Sequence, residues 1–171
     1  MDKIVFLDID GPVIPGRVHN TALCSELRSR FAKDSIEYLN ILCEQTGAQI
    51  VTNSMQNYLS PQGRDLRTDL IKWGLNSIHF HTDWRTIFPR VNYLANPSPQ
   101  RGWGRWLGIL DWMEHNGEVD WICFDDRNWT SDPRLILIDF ETGITDFDLE
   151  TALDHFSVEK NQNSYSAHVS I

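Results

Sequence analysis

The sequence predicts an α/β domain, a three-layer sandwich in which a mostly parallel sheet lies between helices. The apolar run Ile4–Leu7 is typical of a short buried strand, and it leads into two acids, Asp8 and Asp10. Strand and helix patterns alternate along the chain, which is typical of parallel strands joined by helical crossovers. The length of 171 residues fits one domain with a sizeable core. We therefore assign residues 1–157 to a single domain and 158–171 to a polar C-terminal tail.

The first crossover predicts a second strand parallel to the first. A short helix is expected between Asn20 and Arg30, and a longer one begins at Asp34 or Ser35 and ends at Gly47. The apolar run 48–51 follows as a strand. Because both strands are parallel, their carboxyl ends should meet at one edge of the sheet.

The middle of the chain predicts one helix and one strand. Residues 66–73 are helical in pattern and stop at Gly74, and residues 77–81 alternate as a strand. His79 and His81 would share one face of that strand, and a metal pair is conceivable. No third ligand is evident in the sequence, so we interpret them as polar surface residues.

The C-terminal part predicts a second crossover. Residues 105–115 form an amphipathic helix pattern, and residues 135–140 form a strand. A cap at Thr145 or Asp146 begins a last helix that extends to about Phe156.

Polar side chains follow three of the predicted strands. They are Asp8 and Asp10 after the first, Thr52 after the second, and Asp125 and Asp126 after the apolar run 121–124. In parallel sheets, ligands bind beyond the carboxyl ends of the strands. Carboxylates there suit a hard cation such as Mg²⁺, and a hydroxyl can donate to a phosphate oxygen.

The charge distribution limits the classes of partner. The formal net charge of −9 argues against a general nucleic-acid binder. Residues 53–106, however, carry seven basic and three acidic residues. This basic segment would either steer an anionic substrate or form a solvated face.

The cysteines and the apolar runs indicate a compartment. Cys24, Cys43 and Cys123 are odd in number and form no CxxC pair, which favours structural thiols in a reducing cytoplasm. No apolar run reaches 18 residues, and the N-terminus leads directly into a strand. We therefore expect no membrane-spanning helix and no signal peptide.

The ordered motifs resemble those of the haloacid dehalogenase (HAD) superfamily of phosphotransferases. The matching positions are Asp8, Asp10, Gly11 and Val13 for the first motif, Thr52 for the second, Arg105 or Arg101 for the third, and Asp125 with Asp126 for the fourth. The resemblance implies a HAD-like Rossmannoid fold, here with a minimal cap. It spans roughly residues 3–156.

Within the superfamily, the chain is similar to the compact HAD domains of RNA-repair proteins and of small bacterial and phage proteins. In that group the basic residue stands four before an Ile and seven before a Trp. Arg105, with Ile109 and Trp112, fits this spacing better than Arg101. Residues 138–145 also match a terminal Ile-Asp-x-x-Thr-Gly-Ile-Thr pattern.

The second motif departs from that group. Residues 52–56 read Thr-Asn-Ser-Met-Gln, where the group has Ser-Ser-x-Trp-Arg. Ser54 is therefore a rival to Thr52 as the phosphate-binding hydroxyl.

The resemblance implies a Mg²⁺-dependent phosphatase that acts through an aspartyl-phosphate. Asp8 would be the nucleophile and Asp10 the general acid and base. The implied metal site comprises Asp8, the Asp10 carbonyl, Asp125 and Asp126, with Asp126 favoured as the direct ligand. The implied phosphate-binding residues are Thr52, Asn53, Ser54, Arg101 and Arg105.

The expected substrate is a phosphorylated small molecule or nucleotide, with polynucleotide ends as the alternative. A non-catalytic module that binds a phospho-ligand or a protein is the alternative from another class. Trp103, Trp106 and Trp129 flank two motifs and would either stack a base or pack in the core.

Overall fold

The computed structural model describes residues 1–19, 31–59, 65–87 and 103–165. The strands are β1 (Lys3–Leu7), β2 (Gln49–Thr52), β3 (Phe80–Arg85), β4 (Asp120–Asp125) and β5 (Leu135–Leu137). The α-helices of the described residues are α1 (Gly16–His19), α2 (Lys33–Thr46), α3 (Gln56–Leu59), α4 (Leu66–Lys72), α5 (Trp103–Asn116) and α6 (Asp146–Tyr165). The five strands form one parallel sheet in the order β3-β2-β1-β4-β5. The predicted α/β fold is confirmed.

Strand β1 lies at the centre of the sheet and is covered on both faces. Its alternate residues Val5 and Leu7 belong to a core cluster with residues of α2, α4 and α6. Ile4 and Phe6 belong to a second cluster that includes Ile109 and other residues of α5. Because both faces are buried, the strand reads as a continuous apolar run. The sheet is therefore the middle of three layers.

The register of the sheet brings the ends of β1, β2 and β4 together. Leu7 pairs with Thr52 on one side and with Phe124 on the other. Beyond these pairs, the Asp8 amide donates to the Phe124 carbonyl at 3.0 Å, and the Asn53 amide donates to the Leu7 carbonyl at 2.8 Å. Since side chains alternate along a strand, Asp8 shares the α5 face of the sheet with Phe6.

Several predicted helix ends are found in the structure. Gly47 closes α2 in the left-handed conformation at φ 72°, and its amide donates to the Cys43 carbonyl. At the start of α6, the Thr145 amide and hydroxyl both donate to the Asp148 carboxylate. This helix extends to Tyr165, beyond the predicted end near Phe156.

The prediction for residues 77–81 was wrong in one respect. Residues Ser77–His79 form a 3₁₀ turn instead of a strand, because the Asn76 side chain accepts the Ile78 amide and caps the turn. His79 is buried, so it is not a surface histidine, whereas His81 in β3 is partly exposed.

The cysteines that the structure describes carry free thiols. Cys43 and Cys123 are both buried, and burial raises the pKa of Cys43 to about 12. Cys24 and the predicted helix Asn20–Arg30 lie outside the described residues. None of the helices within the described ranges combines the length and apolar character that a membrane crossing requires.

Candidate active site

Asp8 is the most deeply placed carboxylate of the site. It is 1% exposed at the end of β1, and its Oδ2 lies 2.5 Å from Nη1 of Arg105. Its Oδ1 is also buried and accepts no hydrogen bond of normal geometry from the residues that the structure describes. Burial raises the pKa of Asp8 to about 7; the Arg105 charge opposes this shift and the Asp125 charge adds to it. A buried carboxylate oxygen without a partner destabilises the folded protein unless a cation or a hydrogen-bond donor lies next to it.

Arg105 joins the end of β1 to the end of β4. It lies in the first turn of α5, is 5% exposed, and its Nη1 lies 2.5 Å from Asp125 Oδ2 as well as from Asp8. Burial alone would lower the pKa of Arg105, but the two carboxylates together raise it. Arg105 is therefore a buried cation shared by two acids.

Asp125 is held by three donors. Its Oδ2 accepts Arg105 Nη1 and also Nε1 of Trp129 at 2.9 Å, and its Oδ1 accepts the Arg127 amide at 2.9 Å. Burial raises the pKa of Asp125, although all three donors favour its charged form. The carboxylate is thus fixed in orientation.

Asp126 lies against the loop that follows β1. Gly11 there has φ 94°, and a Cβ atom at this position would lie 2.6 Å from Cβ of Asp126. Glycine is therefore required both by the backbone conformation and by the close approach. Nε of Arg127 lies 3.9 Å from Asp126 Oδ1.

Three carboxylates converge at this edge of the sheet. Each contributes one carboxylate oxygen to a group of three whose members lie within 4.8 Å of one another; the residues are Asp8, Asp125 and Asp126. Hard oxygen donors at this spacing, together with the unpaired Oδ1 of Asp8, fit a divalent cation such as Mg²⁺.

Asp10 is bound by a residue that the sequence analysis did not name. Gln56, at the start of α3, donates from Nε2 to Asp10 Oδ1 at 2.7 Å. The sequence did carry an indication of an unusual residue here. Residues 52–56 differ from the second motif of the related group, and they have a glutamine where that group has arginine. Gln56 therefore supplies one hydrogen bond from a neutral side chain to Asp10.

A family model described as the HAD domain in Swiss Army Knife RNA repair proteins matches residues 4–149. The chain belongs to this HAD family. The match covers every described site residue, from Asp8 to Asp126. Searches of curated proteins and of solved structures give no significant match. Membership identifies the protein as a HAD-type hydrolase and confirms the resemblance to compact HAD domains related to RNA repair.

The second motif of this HAD domain places its polar side chains on two faces of the sheet. Asn53 follows Thr52 and lies on the Asp8 side, where its Oδ1 accepts the Thr86 hydroxyl at 2.8 Å. The Thr52 hydroxyl instead accepts Nδ2 of the Asn57 side chain at 3.1 Å and donates to the Trp84 carbonyl at 3.3 Å. Ser54 is buried, and its Oγ accepts the Gln56 amide.

The phosphate-binding roles assigned to Thr52, Asn53 and Ser54 stay predictions. Of the two candidates for the third motif, the structure places Arg105 beside Asp8, and Arg101 lies outside the described residues.

The tryptophans of the HAD domain pack beside the site. Trp106 lies between Trp129 and Trp121, with ring centroids 6.0 Å and 5.7 Å apart. The Trp103 side chain is outside the described part of the chain.

Proposed function

We propose that this HAD domain is a Mg²⁺-dependent phosphatase that hydrolyses a phosphate monoester through an aspartyl-phosphate on Asp8. The observation that carries the proposal is the buried Asp8 carboxylate. One of its oxygens forms an ion pair with Arg105, and the other accepts no hydrogen bond of normal geometry from the described residues. A carboxylate held in this way has one oxygen available as a nucleophile beside a fixed positive charge.

The carboxylate cluster supports the assignment of the metal. Asp8, Asp126 and the Asp10 carbonyl would hold Mg²⁺, with Asp125 as a further ligand or as an orienting group. Asp126 has weaker competing interactions than Asp125, which already accepts three hydrogen bonds. When bound, Mg²⁺ would neutralise the carboxylates and the phosphate.

The two N-terminal acids divide the chemistry between them. An Asp8 oxygen attacks phosphorus, and the new P–O bond forms as the ester P–O bond breaks. Asp10 gives its proton to the leaving oxygen and later takes a proton from the water that hydrolyses the aspartyl-phosphate. Gln56 keeps the Asp10 carboxylate in position through its 2.7 Å hydrogen bond. Arg105, paired with Asp8, would stabilise charge on the transferring phosphoryl group.

Mg²⁺ should raise the stability of the wild-type protein, and Asp126→Ala should remove this effect. A ligand that binds only the native state stabilises it by about 2.7 kcal/mol at a hundred times its Kd. The measurement is the midpoint of thermal unfolding with Mg²⁺ and with EDTA.

The matched control is Asp154→Ala, which removes an exposed carboxylate on α6. This variant should gain as much stability from Mg²⁺ as the wild type. Equal stabilisation of Asp126→Ala would count against the metal site.

Asp10→Asn should separate the two chemical steps. An aryl phosphate has a leaving group that needs little protonation, whereas an alkyl phosphate needs the acid. We expect the first step to slow by about 10²- to 10⁴-fold with the alkyl substrate and by less with the aryl substrate. Because water activation is also lost, aspartyl-phosphate should accumulate on Asp8.

The adduct is measured by mass spectrometry after an acid quench. Wild-type protein, handled identically, should show little of it. Equal losses on both substrates with no adduct would remove Asp10 from the proton-transfer role.

A polynucleotide end is the second candidate substrate, and the description of the matching family favours it. A screen of mononucleotides, small phosphate esters and oligonucleotides with 3′- or 5′-phosphates would distinguish the candidates. The intact acids Asp8 and Asp10 argue against a non-catalytic binding module, because the loss of either would suffice to make one. That module would become the better proposal if no ester were hydrolysed with Mg²⁺.

A further inference from the structure

Trp129 makes a polar contact with the acidic cluster. It lies in the loop after β4, and its indole Nε1 donates to Asp125 Oδ2 at 2.9 Å. Asp125 is fully buried, and its other oxygen accepts the Arg127 amide. Arg105 Nη1 also donates to Asp125 Oδ2, but the same Nη1 is paired with Asp8. Among the described residues, Trp129 is therefore the side-chain donor that serves Asp125 and not Asp8, and together with the Arg127 amide it fixes the plane of the carboxylate.

The indole ring of Trp129 is itself held in place. It packs at 36° against Trp106, with ring centroids 6.0 Å apart, and Trp106 packs in turn against Trp121 of β4. Trp106 directly follows Arg105 in α5. The same turn of helix therefore supplies the cation that binds Asp8 and the ring that supports Trp129.

We propose that Trp129 is a positioning residue that keeps Asp125 oriented, so that the cluster of Asp8, Asp125 and Asp126 is formed before a divalent cation binds. The proposal rests on the proposed function, because it concerns the same metal site. It gives the Trp129 N–H a defined role in metal binding. The alternative role for this side chain, stacking of a substrate base, requires its ring face and does not require the N–H group.

The test removes the N–H group and keeps an aromatic ring. In the full 171-residue chain, Trp129→Phe should raise the Mg²⁺ concentration that gives half of the thermal stabilisation by about 10-fold or more. The Mg²⁺ concentration for half-maximal phosphatase activity should rise in parallel. KM for a small alkyl phosphate at saturating Mg²⁺ should change little, since the proposed role of Trp129 is to orient Asp125 and a small alkyl phosphate has no base to stack on its ring.

The matched control is Trp112→Phe. Trp112 also donates through Nε1, to the Asp83 carbonyl at 2.8 Å, but this bond joins α5 to β3 away from the cluster. Both variants lose an indole hydrogen bond, so both should lose stability in EDTA. Only Trp129→Phe should change the Mg²⁺ dependence, and the same dependence in both variants would overturn the proposal.

A measurement on the unmutated protein covers the case in which Trp129→Phe does not fold. The indole ¹H–¹⁵N resonance of Trp129 should shift on addition of Mg²⁺, whereas that of Trp112 should stay in place. A Trp129 resonance that does not respond would overturn the proposal. If the wild type showed no stabilisation by Mg²⁺, the metal site of the proposed function would fail, and the role of Trp129 would fail with it.

Discussion

Asp8→Asn should abolish turnover while leaving the protein folded. The amide is close in size to the carboxylate, so the packing at the end of β1 is kept. It is not a nucleophile toward phosphorus, and the loss of a nucleophile costs at least about 10⁴-fold in rate. The measurement is kcat with an aryl phosphate in Mg²⁺, together with a search for a phosphorylated adduct, which should be absent.

Two further variants test whether the loss of activity is specific to the carboxylate of Asp8. Asp8→Glu keeps the charge but moves the carboxylate along a longer side chain, and a displacement of about 1 Å can cost about 10²-fold. Asp2→Asn removes an exposed acid near the start of β1 and should retain full activity. Turnover by Asp8→Asn at the wild-type rate would refute the aspartyl-phosphate mechanism.

Arg105→Ala should have the largest effect on stability. It leaves the buried carboxylates of Asp8 and Asp125 without their shared cation. Removing one partner of a buried ion pair costs about 3–5 kcal/mol. We expect a loss of this size in the free energy of unfolding, measured by urea denaturation in EDTA. Mg²⁺ should restore part of it, because a bound cation supplies positive charge to the same acids.

Two further arginine variants test whether the loss of stability is specific to the buried charge of Arg105. Arg127→Ala removes an exposed side chain whose Nε is 3.9 Å from Asp126, and it should change stability by less than about 1 kcal/mol. Arg105→Lys keeps a charge but loses the planar guanidinium, so it should recover only part of the stability. The buried cation role would be wrong if Arg105→Ala unfolded at the wild-type urea concentration in EDTA.

The sequence was sufficient to predict the sheet and the edge at which the site lies. A strand buried on both faces must be apolar throughout, so β1 and β4 are visible as runs that end in acids. Helix caps such as Gly47 were visible for a similar reason, because a left-handed C-terminal residue favours glycine. The strand predicted over residues 135–140 was too long: β5 ends at Leu137, and the Ile138 amide makes the last hydrogen bond to β4 at the Asp125 carbonyl.

The pairs between distant side chains were not predictable from one sequence. The contacts from Gln56 to Asp10 and from Trp129 to Asp125 depend on where loops place two side chains. The atypical residues 52–56 marked Gln56 as unusual, but they did not indicate its partner. The burial of His79 depends likewise on a 3₁₀ turn capped by Asn76. The face on which Thr52 lies depends on its pairing with Leu7, since a shift by one residue exchanges the faces.

The contact between Gly11 and Asp126 links two motifs that are more than a hundred residues apart in the chain. A side chain at position 11 would have to displace the Asp126 side chain, so Gly11 cannot change alone without moving a proposed metal ligand. A mutational library built on this domain should therefore vary residues 11 and 126 together. Among natural relatives, we expect a substitution of Gly11 to occur together with a change in the β4–β5 loop, and such proteins would be candidates for lost metal-dependent activity.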